Sequence, residues 1–171
     1  MFIWRFKNGG DKAFYKNLIF EIEETKTFYD DKKEFVMIGC GYLPLTILAY
    51  CKRYSKSMFK GIDVDEKATK SCNKLRSMYG LCNNTMFKTI DGRKYNYINS
   101  KTILIAAMVK DKIDILNKIL CTASLKSKIF IRLFYKEDHE IINKIKKSCV
   151  GLKVLFKINK IVHQLLSSFC K

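Results

Sequence analysis

The chain has 171 residues, 48% hydrophobic and 29% charged, with a formal net charge of +17. That length fits one domain with a sizeable core, and that hydrophobic share excludes global disorder. No apolar run reaches the roughly 18 residues of a membrane-spanning helix. The opening MFIWRFKNGGDK has no apolar stretch of signal-peptide length, so a cytoplasmic protein without membrane association is expected.

The charge first suggests a nucleic acid or an anionic surface as partner. Its make-up argues the other way. Of the 33 basic residues, 28 are lysine and only five (Arg5, Arg53, Arg76, Arg93, Arg132) are arginine. Phosphate recognition recruits the planar arginine fork, and here the lysines are scattered along the whole chain. Abundant Lys, Asn, Ile, Phe and Tyr are what AT-rich codons yield. RNA stays open as a partner but is not favoured. The seven cysteines (Cys40, Cys51, Cys72, Cys82, Cys121, Cys149, Cys170) are odd in number and form no C-x-x-C pair. Neither His139 nor His163 lies at ligand spacing to them. Reduced, mostly buried thiols and no metal site are expected.

A single domain spans 1–171, with 1–30 as a short helical cap and 31–171 as the ligand-binding part. One helix, roughly 12–27, precedes the sheet, with Leu18, Ile19 and Ile22 as its apolar side. EFVMIG (34–39) reads as a buried strand, and LPLTILAYCKRY (43–54) has apolar residues at helical spacing. MFKGIDV (58–64) is a strand. DEKATKSCNKLRSMYG (65–80) is a helix, with Asp65 as N-cap and Gly80 as its stop. TMFKTI (85–90) and KTILIAAMV (101–109) are strands. KDKIDILNKILCTASL (110–125) is an amphipathic helix with Ile113, Leu116, Ile119 and Leu120 inward. SKIFIRLFY (127–135) is a strand and KEDHEIINKIKKSC (136–149) a helix. LKVLFKI (152–158) and IVHQLLSSF (161–169) are closing strands. The alternation predicts an α/β Rossmann-like fold. Its sheet is mostly parallel with a C-terminal antiparallel strand, and helices cover both faces.

The chemistry gathers after the first strand, in IGCGYLPLT (38–46). Gly39 and Gly41, flanking Cys40, form a G-x-G turn in which the missing Cβ atoms let the backbone approach a ligand. Pro44 and Leu45 stand where a dinucleotide fingerprint has its third glycine. The helix that follows would offer N-terminal amides, and Thr46 would cap it or touch the ligand. Asp63 ends the next strand, beside Val64, where an acid accepts hydrogen bonds from ribose hydroxyls. Asp91-Gly92 ends the third strand, beside the expected adenine position. Three successive strand ends thus put these groups on one carboxyl edge, where open α/β sheets bind ligands. The competing readings are a helix cap for Asp63 or Asp65 and a plain turn for Asp91-Gly92. No P-loop occurs.

Five parallel strands and an antiparallel closure resemble S-adenosylmethionine-dependent class I methyltransferases. Within that fold, VMIGCGYLPLTILAY (36–50) resembles the nicotianamine synthase motif, in which G-x-G is followed after two residues by P-L-T. GIDVDEKA (61–68), ILIAAMVKDK (103–112) with Ala106-Ala107, and IFIRLFY (129–135) with Arg132 resemble further strands of that family. So does VHQLLSSF (162–169), apart from His163-Gln164 in place of Asn-Ser. The resemblance covers roughly 34–171. It implies S-adenosylmethionine as group donor and transfer of its 3-amino-3-carboxypropyl group to a small-molecule amine, as in metallophore biosynthesis. It also implies a glutamate on the helix before the first strand that orients and deprotonates the amine. The sequence offers Glu21, Glu23 and Glu24 for that role, and Glu21 fits best by spacing from Gly39; a solvated acidic face is the rival reading. Two features depart from the family: its longer N-terminal helical domain, and the Gly- and Arg-bearing segment after the Arg132 strand. Both shape the acceptor pocket there. An ordinary methyltransferase, acting on RNA or a small molecule, and a non-catalytic nucleotide-binding module remain alternatives.

Overall fold

The computed structural model describes residues 18, 22, 34–79, 84–124 and 126–132. Its elements are β1 (Glu34–Ile38), α1 (Leu45–Arg53), β2 (Met58–Asp63), α2 (Glu66–Tyr79), β3 (Thr85–Thr89), β4 (Ser100–Ile105), α3 (Lys112–Thr122) and β5 (Lys128–Ile131). The strands form one sheet in the order β3-β2-β1-β4-β5. Every pairing is parallel: Ile38 stands opposite Ile62 on β2 and opposite Ile105 on β4, and Ile105 opposite Ile131 on β5. The order reverses at β1, between β2 and β4, which is where such sheets open a crevice for ligands. The expected domain bounds, the helix at 136–149, the C-terminal antiparallel strand, Glu21 and Glu24 lie outside the described residues.

The side-chain period of two divides β1 between two cores. Phe35 and Met37 join Ile47 and Tyr50 of α1, Cys72 of α2, and Leu18 and Ile22. The Phe35 ring lies 4.9 Å from that of Tyr50 and 5.5 Å from that of Phe59. Val36 and Ile38 face the other way, with Ile62, Ile103 and Ile105, against Ile115 and Ile119 of α3. Helices therefore cover both faces. A fully buried aliphatic or aromatic side chain contributes about 1.5–3 kcal/mol over an exposed one, so the central strand carries much of the stability. Leu18 and Ile22 are helical and buried, as read for the segment before the sheet.

Three sequence expectations shift. β4 stops at Ile105, not 109, because the Ala106 amide makes the last rung to Ile38 O (2.9 Å) and the chain then turns, Val109 N donating to Ala106 O. The helix expected over 110–125 begins at Lys112, after Asp111 in a left-handed conformation (φ 53°). Leu116 and Ile119 are buried as expected, but Ile115 is buried in place of Ile113 and Leu120, which are half-buried.

Candidate functional site

Backbone hydrogen bonds gather the strand ends at one edge. Gly39 N and Cys40 N donate to Ile62 O at 2.8 and 3.2 Å, Ile90 N donates to Asp63 O at 2.9 Å, and Arg132 N donates to Ile105 O at 3.0 Å. The loop leaving each strand is thus anchored to its neighbour, and every side chain considered below starts from a fixed backbone.

Gly39 and Gly41 are both left-handed, with φ 78° and 65°. L-residues pay about 1–2 kcal/mol there and glycine does not. At Gly39 space matters as well: a Cβ would sit 2.4 Å from Val109 Cγ2 and 3.3 Å from Ala106 Cβ. A Cβ on Gly41 would meet nothing within 4 Å, so the backbone beside it opens on free space. The tight-turn and close-approach roles expected of this G-x-G are therefore split between its two glycines.

Asp63 holds this loop. Its Oδ2 accepts from Gly41 N at 2.9 Å and its Oδ1 from Asp65 N at 3.1 Å. A carboxylate has about four acceptor sites, so each oxygen keeps capacity for a further donor, such as a hydroxyl. Capping belongs to Asp65, whose Oδ1 accepts from Lys67 N at 2.8 Å in the first turn of α2. Its Oδ2 accepts from Tyr42 Oη at 2.6 Å, a bond that holds the Asp65 carboxyl below the usual carboxylate range and pushes the Tyr42 phenol up. The Asp63-or-Asp65 alternative is resolved: Asp65 caps, and Asp63 is turned to the glycine loop.

Cys40, within the loop, and Cys72, bonded to it, are buried thiols outside any disulfide. Cys72 Sγ donates to Gly41 O at 3.0 Å. Its hydrogen bond with Cys40, then burial, then the negative charge of Asp63 push the Cys40 thiol up, so it stays protonated. Cys51 is also buried and outside any disulfide, its Sγ donating to Asn84 Oδ1 at 3.8 Å, while Cys121 is exposed.

Thr46 does not cap α1. Pro44 is the N-cap residue and makes no side-chain cap bond. Thr46 is 3% exposed, and its Oγ1 accepts from Arg132 Nη1 at 3.0 Å. Leu45 opens the helix and Pro44 is buried behind it.

Asp91 lies at the edge but is engaged. Its Oδ1 accepts from Arg93 N at 2.8 Å and Arg93 Nε at 3.1 Å, and its Oδ2 from Arg93 Nε at 3.0 Å and Nη2 at 2.6 Å. The Arg93 side chain holds this carboxyl below the usual carboxylate range, with the Arg93 backbone amide second. Lys94 N donates to Asp91 O, so Asp91-Gly92 is a turn. Arg93 Nη1 also reaches Asp111 Oδ2 at 3.3 Å, linking the loops after β3 and β4. Gly92 sits close to Ile38 and Ile115, where a Cβ would come within 3.1 Å of Ile38 Cγ2, and its carbonyl accepts from the buried Tyr97 hydroxyl at 2.7 Å. Ala106 and Ala107 follow β4 and stay mostly buried.

The edge thus collects Gly39, Cys40, Gly41, Pro44, Leu45, Thr46, Asp63, Val64, Asp91, Gly92, Ala106 and Ala107 at the ends of four adjacent strands. Four large apolar side chains at these strand ends are exposed: Tyr42 (54%), Leu43 (45%), Val64 (71%) and Met108 (76%). Sequence reasoning gave no role to Tyr42, Arg93 or Met108. For Arg93 a local signal existed: an Asp two residues before an Arg at a strand end forms a compact ion-paired turn. Among the described residues no group of three or more His, Cys, Asp or Glu is placed to hold a metal ion, and no helix is long and apolar enough to cross a membrane.

No protein-family model matches the sequence, and no curated protein matches it. Solved structures do. The chain is similar to a single-residue variant of the nicotianamine synthase MtNAS in complex with S-adenosylmethionine, at 18% identity and TM-score 0.62, over 69% of this chain and 46% of that one. It is similar to coclaurine N-methyltransferase bound to N-methylheliamine and SAH, at 17% identity and TM-score 0.59, over 74% and 38%. It is similar to a putative S-adenosyl-L-methionine-dependent methyltransferase from Methanococcus maripaludis, at 16% and 0.59, over 77% and 63%. The fold is that of the class I methyltransferases. The chain spans less than half the length of the first two of these proteins.

Proposed function

We propose that the protein is a transferase that uses S-adenosylmethionine as group donor and moves its 3-amino-3-carboxypropyl group to a small-molecule amine. The observation that carries the donor assignment is the Gly39–Thr46 loop. Its two left-handed glycines are tied to Asp63 at the point where the strand order reverses. The free acceptor capacity of Asp63 suits the two ribose hydroxyls. The exposed Val64 and Met108 offer apolar surface to an adenine. Asp91 receives no direct role toward the adenine amine, because Arg93 already occupies its acceptor sites. The likeness to MtNAS with S-adenosylmethionine, and to methyltransferases with related ligands, supports the same donor.

In the proposed reaction the acceptor nitrogen lone pair attacks the carbon of the donor chain next to sulfur. The carbon–sulfur bond breaks, its electron pair returns to the sulfonium, and neutral methylthioadenosine leaves. The proton lost by the alkylated amine passes to a carboxylate, a role we assign to Glu21, with Glu24 as its neighbour. Fixed placement of donor and acceptor supplies most of the rate gain. The G-x-G-x-x-P-L-T pattern at Gly39, Gly41, Pro44, Leu45 and Thr46 supports this reaction over methyl transfer.

A second reading, methyl transfer on the same donor, is favoured by the comparable likeness to coclaurine N-methyltransferase. One assay separates them. The protein is incubated with S-adenosylmethionine and a panel of small amines, and the adenosine by-product is identified. Methylthioadenosine is the expected product; S-adenosylhomocysteine would establish methylation instead. Donor binding with neither by-product would point to a non-catalytic module.

A further inference from the structure

The loop that follows β1 is held from two sides. On one side Gly39 N and Cys40 N bond to Ile62 O, and Gly41 N bonds to Asp63, so its first half is tied to β2. On the other side its far end is tied to the opposite half of the sheet by the Arg132 side chain. Arg132 lies at the end of β5, where its backbone amide completes the last rung to Ile105 O of β4. From that fixed base its guanidinium passes the end of β4 and donates to Thr46 Oγ1 at 3.0 Å, across 86 positions of sequence. Thr46 is 3% exposed and belongs to the first turn of α1. A charged donor to a buried hydroxyl gives a directional bond little weakened by water.

We propose that Arg132 is a positioning residue for the donor, acting through Thr46 to set where the loop 39–46 ends and α1 begins. The inference rests on the reading that this loop binds S-adenosylmethionine. Gly41 leaves the loop backbone open on one side, with no atom within 4 Å of a Cβ placed there. The bonds made by Gly39, Cys40, Gly41 and Tyr42 all run to β2 and to α2 or its N-cap, and the Arg132–Thr46 bond adds a constraint on the loop's far end from the β5 side. Arg132 itself need not touch the donor.

The test is a double-mutant cycle on S-adenosylmethionine affinity by calorimetry, with thermal midpoints measured alongside. Thr46→Val and Arg132→Met are each expected to weaken donor binding about tenfold. The double variant should be no weaker than the weaker single one, and Thr46→Ser should restore affinity to within about twofold. Thr46→Val, which removes the hydroxyl with little change of shape, carries the test if Arg132→Met does not fold. A wild type that binds the donor while Thr46→Val binds it equally well overturns the positioning role alone. Multiplying effects in the double variant, or no rescue by serine, overturn it too. A wild type that does not bind S-adenosylmethionine overturns the functional reading itself, and the positioning role with it.

Discussion

The backbone amide of Gly41 donates to Asp63 Oδ2 at 2.9 Å, joining the loop after β1 to the end of β2 across 22 positions of sequence. The acid proposed to bind the donor's ribose is thereby also a strut of the loop after β1. Its loss should be felt without any ligand. Asp63→Ala removes a charge-assisted bond that is partly buried, so about 1–2 kcal/mol of stability should go. Asp63→Asn, which keeps one carbonyl acceptor, should lose less. Urea denaturation measures both, and an unchanged midpoint for Asp63→Ala would contradict the strut.

The two glycines should respond unequally to alanine. Gly41→Ala meets only the backbone cost of its left-handed φ, about 1–2 kcal/mol. Gly39→Ala adds a methyl 2.4 Å from Val109 Cγ2 and should cost more. Combining it with Val109→Ala should recover part of the loss, whereas the same second change should not help Gly41→Ala. Denaturation midpoints of the four variants decide this, and equal costs for the two glycines would contradict the packing described.

The Asp91–Arg93 pair predicts how acid affects the fold. Arg93 holds the Asp91 carboxyl below its usual range, so the unfolded chain takes up that proton at higher pH than the folded chain does. The pair therefore stabilises above about pH 4, and its contribution disappears as the pH falls through the folded-state value. Arg93→Met should lower the melting temperature at about pH 7, and the gap from wild type should narrow as the pH is taken below about 4. A gap of the same size at both ends would contradict this.

Thiol reactivity should follow burial. Cys40, Cys51 and Cys72 are buried, and the Cys40 thiol is pushed up by Cys72, by burial and by Asp63. Of the four cysteines in the described residues, Cys121 should be the first alkylated in the native protein, with the other three protected until unfolding. Peptide mass spectrometry after brief iodoacetamide treatment reads the order. Early modification of Cys40 would show that the glycine loop opens in solution.

The five parallel strands were legible because each is a short apolar run ending in a polar or glycine signal. β4 was the exception: Ala106, Ala107, Met108 and Val109 continue the apolar run past the last rung, so only the bond from Ala106 N to Ile38 O marks its end. α3 was read with the right period and with Leu116 and Ile119 inward, but with Ile113 for Ile115, since both are apolar and only packing on β4 chooses between them. Gly39, Gly41 and Asp63 were legible from spacing alone, because backbone geometry at a strand end restricts the residue types that serve there. Asp91 was placed at the right edge, with a turn as the rival reading, but its pairing with Arg93, two residues on, was not foreseen. The Arg132–Thr46 bond was out of reach, because no local pattern links residues 86 positions apart.

The central claim is that the Gly39–Thr46 loop and Asp63 hold S-adenosylmethionine. Calorimetric titration of the protein and of Asp63→Ala with that compound tests it most directly. The account predicts saturable one-to-one binding by the wild type and affinity weakened at least about tenfold in Asp63→Ala. No binding by the wild type, or equal affinity in the two proteins, would contradict it.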